Sequence, residues 1–193
     1  MKFVHGFGVN DSPSPVYRMV DGKIVLNADY VAWQSMLRRC YSDKLHAKYP
    51  TYTNVSVCDE WRSFMSFSAW WQVNHVDGFE LDKDIIGGGV EYSPESCIYI
   101  PQWLNKFTNT NSKMRGALPI GCRHDKNTGK YQARCCHPKT GKRIHLGIFN
   151  SPHDAHEAWK SKKLEIAEEL KPRMDEIDLR IYPRVIEIIS RAK

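Results

Sequence analysis

Apolar residues recur at helical spacing early in the chain. Tyr30, Trp33, Leu37 and Cys40 fall three or four residues apart just after Asn27 and Asp29, either of which can cap a helix. "KYPTYTN" interrupts the period, and a second helix is expected over about 59–74. Its stripe is Trp61, Phe64, Ser68 and Trp71, with Met65 and Phe67 beside it. Aromatic stripes of this kind are core before they are ligand site. Ahead of them "DSPSP" reads as a loop and "GKIVL" as a short strand.

Past residue 77 the pattern shortens. "DGFELDKDIIGGGVEYSPESCIYIP" reads as a strand, a glycine-rich turn and a second short extended run. "QWLNKFTNTNS" then predicts a helix that decays into polar linker, and "TNTNSKMRG" is the natural boundary. Three strands are expected at 120–124, 131–136 and 143–149, joined by hairpin turns in "DKNTG" and "HPKTG". A helix follows, with Ser151 as cap, Pro152 in the first turn and Asp154 at the capping-box position. Ala155, Ala158, Trp159, Ile166 and Leu170 form its apolar face, and Pro172 is expected to end it. "YPRVIEIISRAK" predicts a terminal amphipathic helix. The fold class is α+β: a helix-rich part over 1–110, a three-stranded antiparallel sheet packed on one helix over 115–171, and a helical tail over 172–193.

Alternation sorts the strand residues onto two faces. Tyr131, Ala133 and Cys135 point one way, and Gln132, Arg134 and Cys136 the other. In the third strand Ile144, Leu146 and Ile148 are expected inward, opposite Arg143, His145 and Gly147. With Ile120 and Cys122 inward, Arg123 joins the polar face, and Lys130 and Lys142 sit at the turns.

Charge makes that face unusual. From Arg115 to Asn150 there are eight lysines and arginines against one acid, Asp125, a charge of +7 in a chain of 193 residues whose total is +6. Solvated faces normally mix both signs. Guanidinium and amide groups at alternate strand positions suit the base edges of a major groove, and lysines at the turns suit phosphate. The implied partner is double-stranded DNA.

Composition narrows the classes further. No run of 18 apolar residues exists, so no membrane span is expected. The N-terminal apolar run is too short for a secretory signal. The six cysteines lack CxxC spacing, so reduced cytosolic thiols are the expectation. Cys40, Cys58 and Cys97, with His46 or His75, raise structural zinc, but irregular spacing beside aromatic residues favours buried thiols.

"IGCRHDKNTGKYQARCCHPKTGKRIHLGIFNSPHDAHEAW" resembles the plant ethylene-response-factor (APETALA-type) DNA-binding domain, and is closer still to its variant embedded in bacteriophage nucleases. The marks are Gly129-Lys130-Tyr131, Ala133-Arg134, Leu146-Gly147-Ile148-Phe149 and the Ala155/Ala158/Trp159 helix. The resemblance implies that the sheet, not the helix, enters the major groove. It places Arg123, Arg134, Arg143 and His145 at contact positions. His145 stands where plant members usually have tryptophan, so sequence specificity does not carry over.

The first half resembles phage and mobile-element proteins classed as HNH or homing endonucleases. Trp33, Arg39-Cys40, Val57-Cys58, Glu60-Trp61, Leu81-Asp82-Lys83-Asp84, Tyr92-Ser93-Pro94, Cys97 and Asn105 carry it. The resemblance implies a strand-turn-strand-helix metal unit, magnesium- or manganese-dependent hydrolysis of DNA phosphodiesters, and the cytoplasm, that of an infected bacterial host if phage-encoded. The chain departs from the pattern where a histidine base is expected, because Asp82 is followed by Lys83. Asn105, or Asn109 on the same helical face, resembles the closing position. Lys83, flanked by Asp82 and Asp84, is expected to keep its proton and to stabilise phosphate charge. Asp82, Asp84 and Glu91 are the oxygen donors suited to magnesium, with Asp82 and Asn105 as the candidate metal ligands. Three function classes stay open: a homing-type endonuclease, a non-catalytic DNA binder with a degenerate HNH scaffold, and an RNA binder or inhibitor of a nucleic-acid enzyme.

Overall fold

In the first half, the tryptophan stripes gather into one aromatic core. Helix α1 (Ala28–Tyr41) buries Tyr30, Trp33, Met36, Leu37 and Cys40, as its spacing predicts. Helix α3 (Phe64–Asn74) brings Phe64, Phe67 and Ser68 against it. Trp33 donates its indole N–H to the Trp61 carbonyl at 2.8 Å, and Ser68 Oγ donates to Asp29 at 2.6 Å. The computed structural model describes residues 3–109 and 118–193. All but the first two residues of "TNTNSKMRG" therefore lie outside the described residues. The chain forms two units, residues 1–99 and 100–193.

The second helix starts later than its periodicity suggests. Val9 uses the backbone on both sides of Ser63, donating to the Arg62 carbonyl at 2.8 Å and accepting from Phe64 N at 3.0 Å. Residues 60–62 are left as a single 3-10 turn, and Ser63 becomes the cap, accepting from Ser66 N at 3.1 Å. A short α2 (Asp43–Lys48) follows α1. Strand β1 (Tyr17–Val20), which the pattern did not suggest, pairs antiparallel with β2 (Lys23–Leu26). Every residue of this hairpin is exposed, and alternation puts Tyr17, Met19, Ile24 and Leu26 on one side of it. Strand β3 (Ser56–Val57) pairs in parallel with β5 (Glu91–Tyr92). Strand β4 (Phe79–Asp82) leads into the glycine-rich turn, and β6 (Ile98–Pro101) leads into α4 (Gln102–Thr108).

The second unit is organised by an antiparallel sheet in the order β7 (Cys122–Asp125), β8 (Lys130–Cys136), β9 (Arg143–Phe149). Helix α5 (Pro152–Asp175) lies across all three strands, burying Ala155 and Trp159 as its apolar face predicts. Ser151 caps it, accepting from Asp154 N at 3.1 Å. The helix does not stop at Pro172. It runs on to Asp175 because Met174 is fully buried, as are Ile181, Val185 and Ile189 of α6 (Ile181–Arg191), which packs on α5. A proline in a last turn loses one helical hydrogen bond, and buried Met174 offsets that loss. The tail expected at 172–193 is thus continuous with the sheet-bearing unit.

Helix α4 belongs to this second unit as well. Lys163 of α5 donates to the Phe107 carbonyl at 2.6 Å and sits 3.6 Å from the Phe107 ring centroid. Burial pushes its amine down to about 8 from 10.5. From pH 8 to 10.5 the unfolded chain therefore holds a proton that the folded chain has released, so this lysine's share of stability rises with pH there and is constant below. Buried thiols such as Cys40 and Cys97 are pushed up to about 12 and act in the opposite sense at alkaline pH. Comparing wild type with Lys163→Met at each pH isolates the lysine. We expect the variant's relative stability to fall by on the order of 2 kcal/mol between pH 8 and 10.5, measured by urea unfolding.

Candidate nucleic-acid interface

The three strands carry their polar residues in rows. Arg123 lies opposite Gln132, and Arg134 opposite His145, with Cys136 opposite Arg143 at the far end. Arg123, Arg134, Arg143 and His145 are exposed, as are Lys130 and Lys142 at the strand ends, and Gln132 is half-buried. On the other side Ala133 and Cys135 are buried under α5. The sheet therefore brings all seven of the sequence-nominated residues of this half to one face or its borders.

Two expected assignments at the end of β9 are corrected: Gly147, expected on the polar face, lies opposite buried Ala133, and Ile148 turns outward. The register slips between Ala133 and Arg134: Ala133 faces Gly147, whereas Arg134 faces His145, so Leu146 has no opposite number. This bulge reverses the alternation beyond it. Ile148, expected inward with Ile144 and Leu146, instead sits opposite Gln132 and is 49% exposed. Gly147 makes the bulge possible, since its φ of +131° is one that side-chain-bearing residues rarely adopt. The dipeptide "LG" inside a strand run was the available signal.

Electrostatics on this face are one-sided. Among the described residues, none of Arg123, Lys130, Arg134, Lys142 and Arg143 pairs with a carboxylate. Asp125 spends one oxygen on the turn, accepting from Asn127 N at 3.0 Å. Gln132 Nε2 donates to His145 Nδ1 at 3.1 Å. A polar hollow of about 490 Å³ opens on this face, lined by Arg123, Lys126, Gln132 and Arg134 together with the one acid, Asp125.

The second set of nominated residues behaves differently. Lys83 is 4% exposed, and its Nζ donates to Asp84 Oδ1 at 2.6 Å. The ammonium lies 5.5 Å from the centroid of Tyr92 and 5.9 Å from that of Tyr52. Asp82 Oδ1 accepts from Asp84 N at 2.9 Å and Ile85 N at 2.8 Å, which fixes the turn after β4. Burial raises the pKa of its carboxyl. Gly89 closes over the pair so tightly that a Cβ there would stand 2.7 Å from Asp84 Oδ1. Glu91 is exposed on β5, with Ser56 Oγ 3.5 Å from its Oε1. Asn105 is half-buried on α4 and belongs to the second unit, whereas Asp82 belongs to the first.

This donor set fits a magnesium or manganese ion poorly. Asp84 already carries an ammonium, and Asp82 holds two backbone amides on one oxygen. Among the described residues no three His, Cys, Asp or Glu side chains form a group able to hold a metal. Arg39 is half-buried. It hydrogen-bonds Tyr92, and Tyr92, Tyr52 and Cys40 raise its pKa against the effect of burial. The sequence offers no signal that Arg39 and Lys83 share the Tyr52 and Tyr92 surroundings, because that depends on which turn folds over which strand. Comparison with known proteins finds no matching family model, no matching curated protein and no matching solved structure.

Proposed function

We propose that this protein binds double-stranded DNA through the outer face of β7, β8 and β9. The observation that carries the proposal is that five cations, none paired with a carboxylate among the described residues, border a Gln132–His145 hydrogen bond on one exposed face. Arginine suits the O6 and N7 acceptors of guanine, and glutamine the N6 and N7 edge of adenine. Lys130 and Lys142 are placed for phosphate. Replacing either lysine by alanine should lower affinity for every sequence alike and flatten the dependence of log K on log salt by about 1. The check is a salt titration on two unrelated duplexes, and an effect confined to one of them would contradict the phosphate assignment. Retention of duplex DNA over single-stranded RNA tests the partner class, and preference for RNA would overturn it.

Within this reading the first unit is a scaffold rather than a hydrolase. Buried Lys83 donating to Asp84 at "LDKD" supports a structural role for that pair. Endonuclease activity with magnesium or manganese at Asp82, Lys83, Asp84, Glu91 and Asn105 rests on their order along the chain. It predicts cleavage of a bound duplex that EDTA stops and Asp82→Ala abolishes. The scaffold reading predicts that the wild type binds the duplex and leaves it uncut with either ion.

A further inference from the structure

The bulge at Gly147 places a large apolar side chain among cations. Across the sheet, Arg123, Gln132 and Ile148 are direct neighbours in one row, one from each strand. Ile148 is 49% exposed there. An exposed isoleucine alone means little, but this one stands where residues opposite each other bring their Cβ atoms to about 5 Å. Its partner is an amide with an acceptor oxygen and a second N–H still available beyond the bond to His145.

Resting on the DNA-binding reading above, we propose that this row reads an A·T base pair, with Ile148 packed on the C5-methyl of the thymine and Gln132 on the adenine. Both features of that pair lie in the major groove, where the methyl is the one apolar mark a base presents. A cation cannot recognise it. Arg123, on the other side of Gln132, is placed for a guanine in the neighbouring pair. The chemical class of ligand is therefore a duplex carrying a 5-methylated pyrimidine at a fixed position, not any duplex of matching charge.

The experiment starts by recovering bound duplexes from a random-sequence pool with the full chain. Uracil, which lacks only the methyl, then replaces thymine at one position after another of the recovered site, at fixed salt. At one position we expect wild-type affinity to fall about fourfold, the size of one buried methyl group. Ile148→Ala should be indifferent to uracil there, while Ile148→Val keeps part of the sensitivity. Repeating the selection with Gln132→Ala should leave that pair degenerate. Equal binding of thymine and uracil duplexes at every position would overturn the inference and leave DNA binding standing, as would undiminished sensitivity in Ile148→Ala. A pool that yields no bound duplex would overturn both.

Discussion

Replacing Arg134 by alanine is expected to weaken specific duplex binding by ~1–3 kcal/mol, the scale of one base contact, and Arg143→Ala to do the same. Arg134 is exposed on the central strand opposite His145, and Arg143 is exposed opposite Cys136. Neither is tied to a carboxylate among the described residues, so neither has an evident structural task that its loss would disturb. Stability should accordingly stay within about 0.5 kcal/mol of wild type, as for surface substitutions generally. Fluorescence anisotropy on a selected duplex at one salt concentration reads the first effect and thermal unfolding the second. Unchanged affinity in both variants would remove the sheet from the interface.

Substitutions at "LDKD" should separate in the other direction. Asp84→Ala strips the carboxylate from an ammonium that is 4% exposed, and an uncompensated buried charge is costly. Because the Asp84 side chain is itself 68% exposed, water relieves part of that cost, and about 2 kcal/mol of lost stability is expected. Lys83→Met keeps a stem of similar length against Tyr52 and Tyr92 and removes the charge, so it should stay within about 1 kcal/mol of wild type. The double variant should recover most of what Asp84→Ala loses. Urea unfolding of the three variants decides it: equal small losses in both single variants would mean that Lys83 is a solvated surface charge.

Much of the fold is legible in periodicity because burial imposes it. Tyr30, Trp33, Leu37 and Cys40 name the buried face of α1, and Ser151 with Pro152 marks the start of α5. The sheet residues follow from alternation up to His145. Beyond that point a one-residue bulge, invisible to a period of two, turns Ile148 outward. The same limit applies at Ser63, where the competing bonds come from Val9, far away in sequence. It applies again at Pro172, where Met174 is held by a helix still to come. At "LDKD" the sequence shows three adjacent charges, which the resemblance assigns to metal and phosphate. The burial of Lys83 depends on Gly89, Tyr52 and Tyr92 closing around it, which local pattern cannot report. The basic face was readable for the opposite reason: missing acids are a property of composition, and the strands needed only to bring the cations together.

The most direct test of duplex recognition by the sheet is an NMR titration of the isotope-labelled full chain with a selected duplex. The account predicts that backbone and side-chain shifts concentrate at Arg123, Gln132, Arg134, Arg143, His145 and Ile148. Shifts confined to residues 1–99, or none at a twofold excess of duplex, would contradict it.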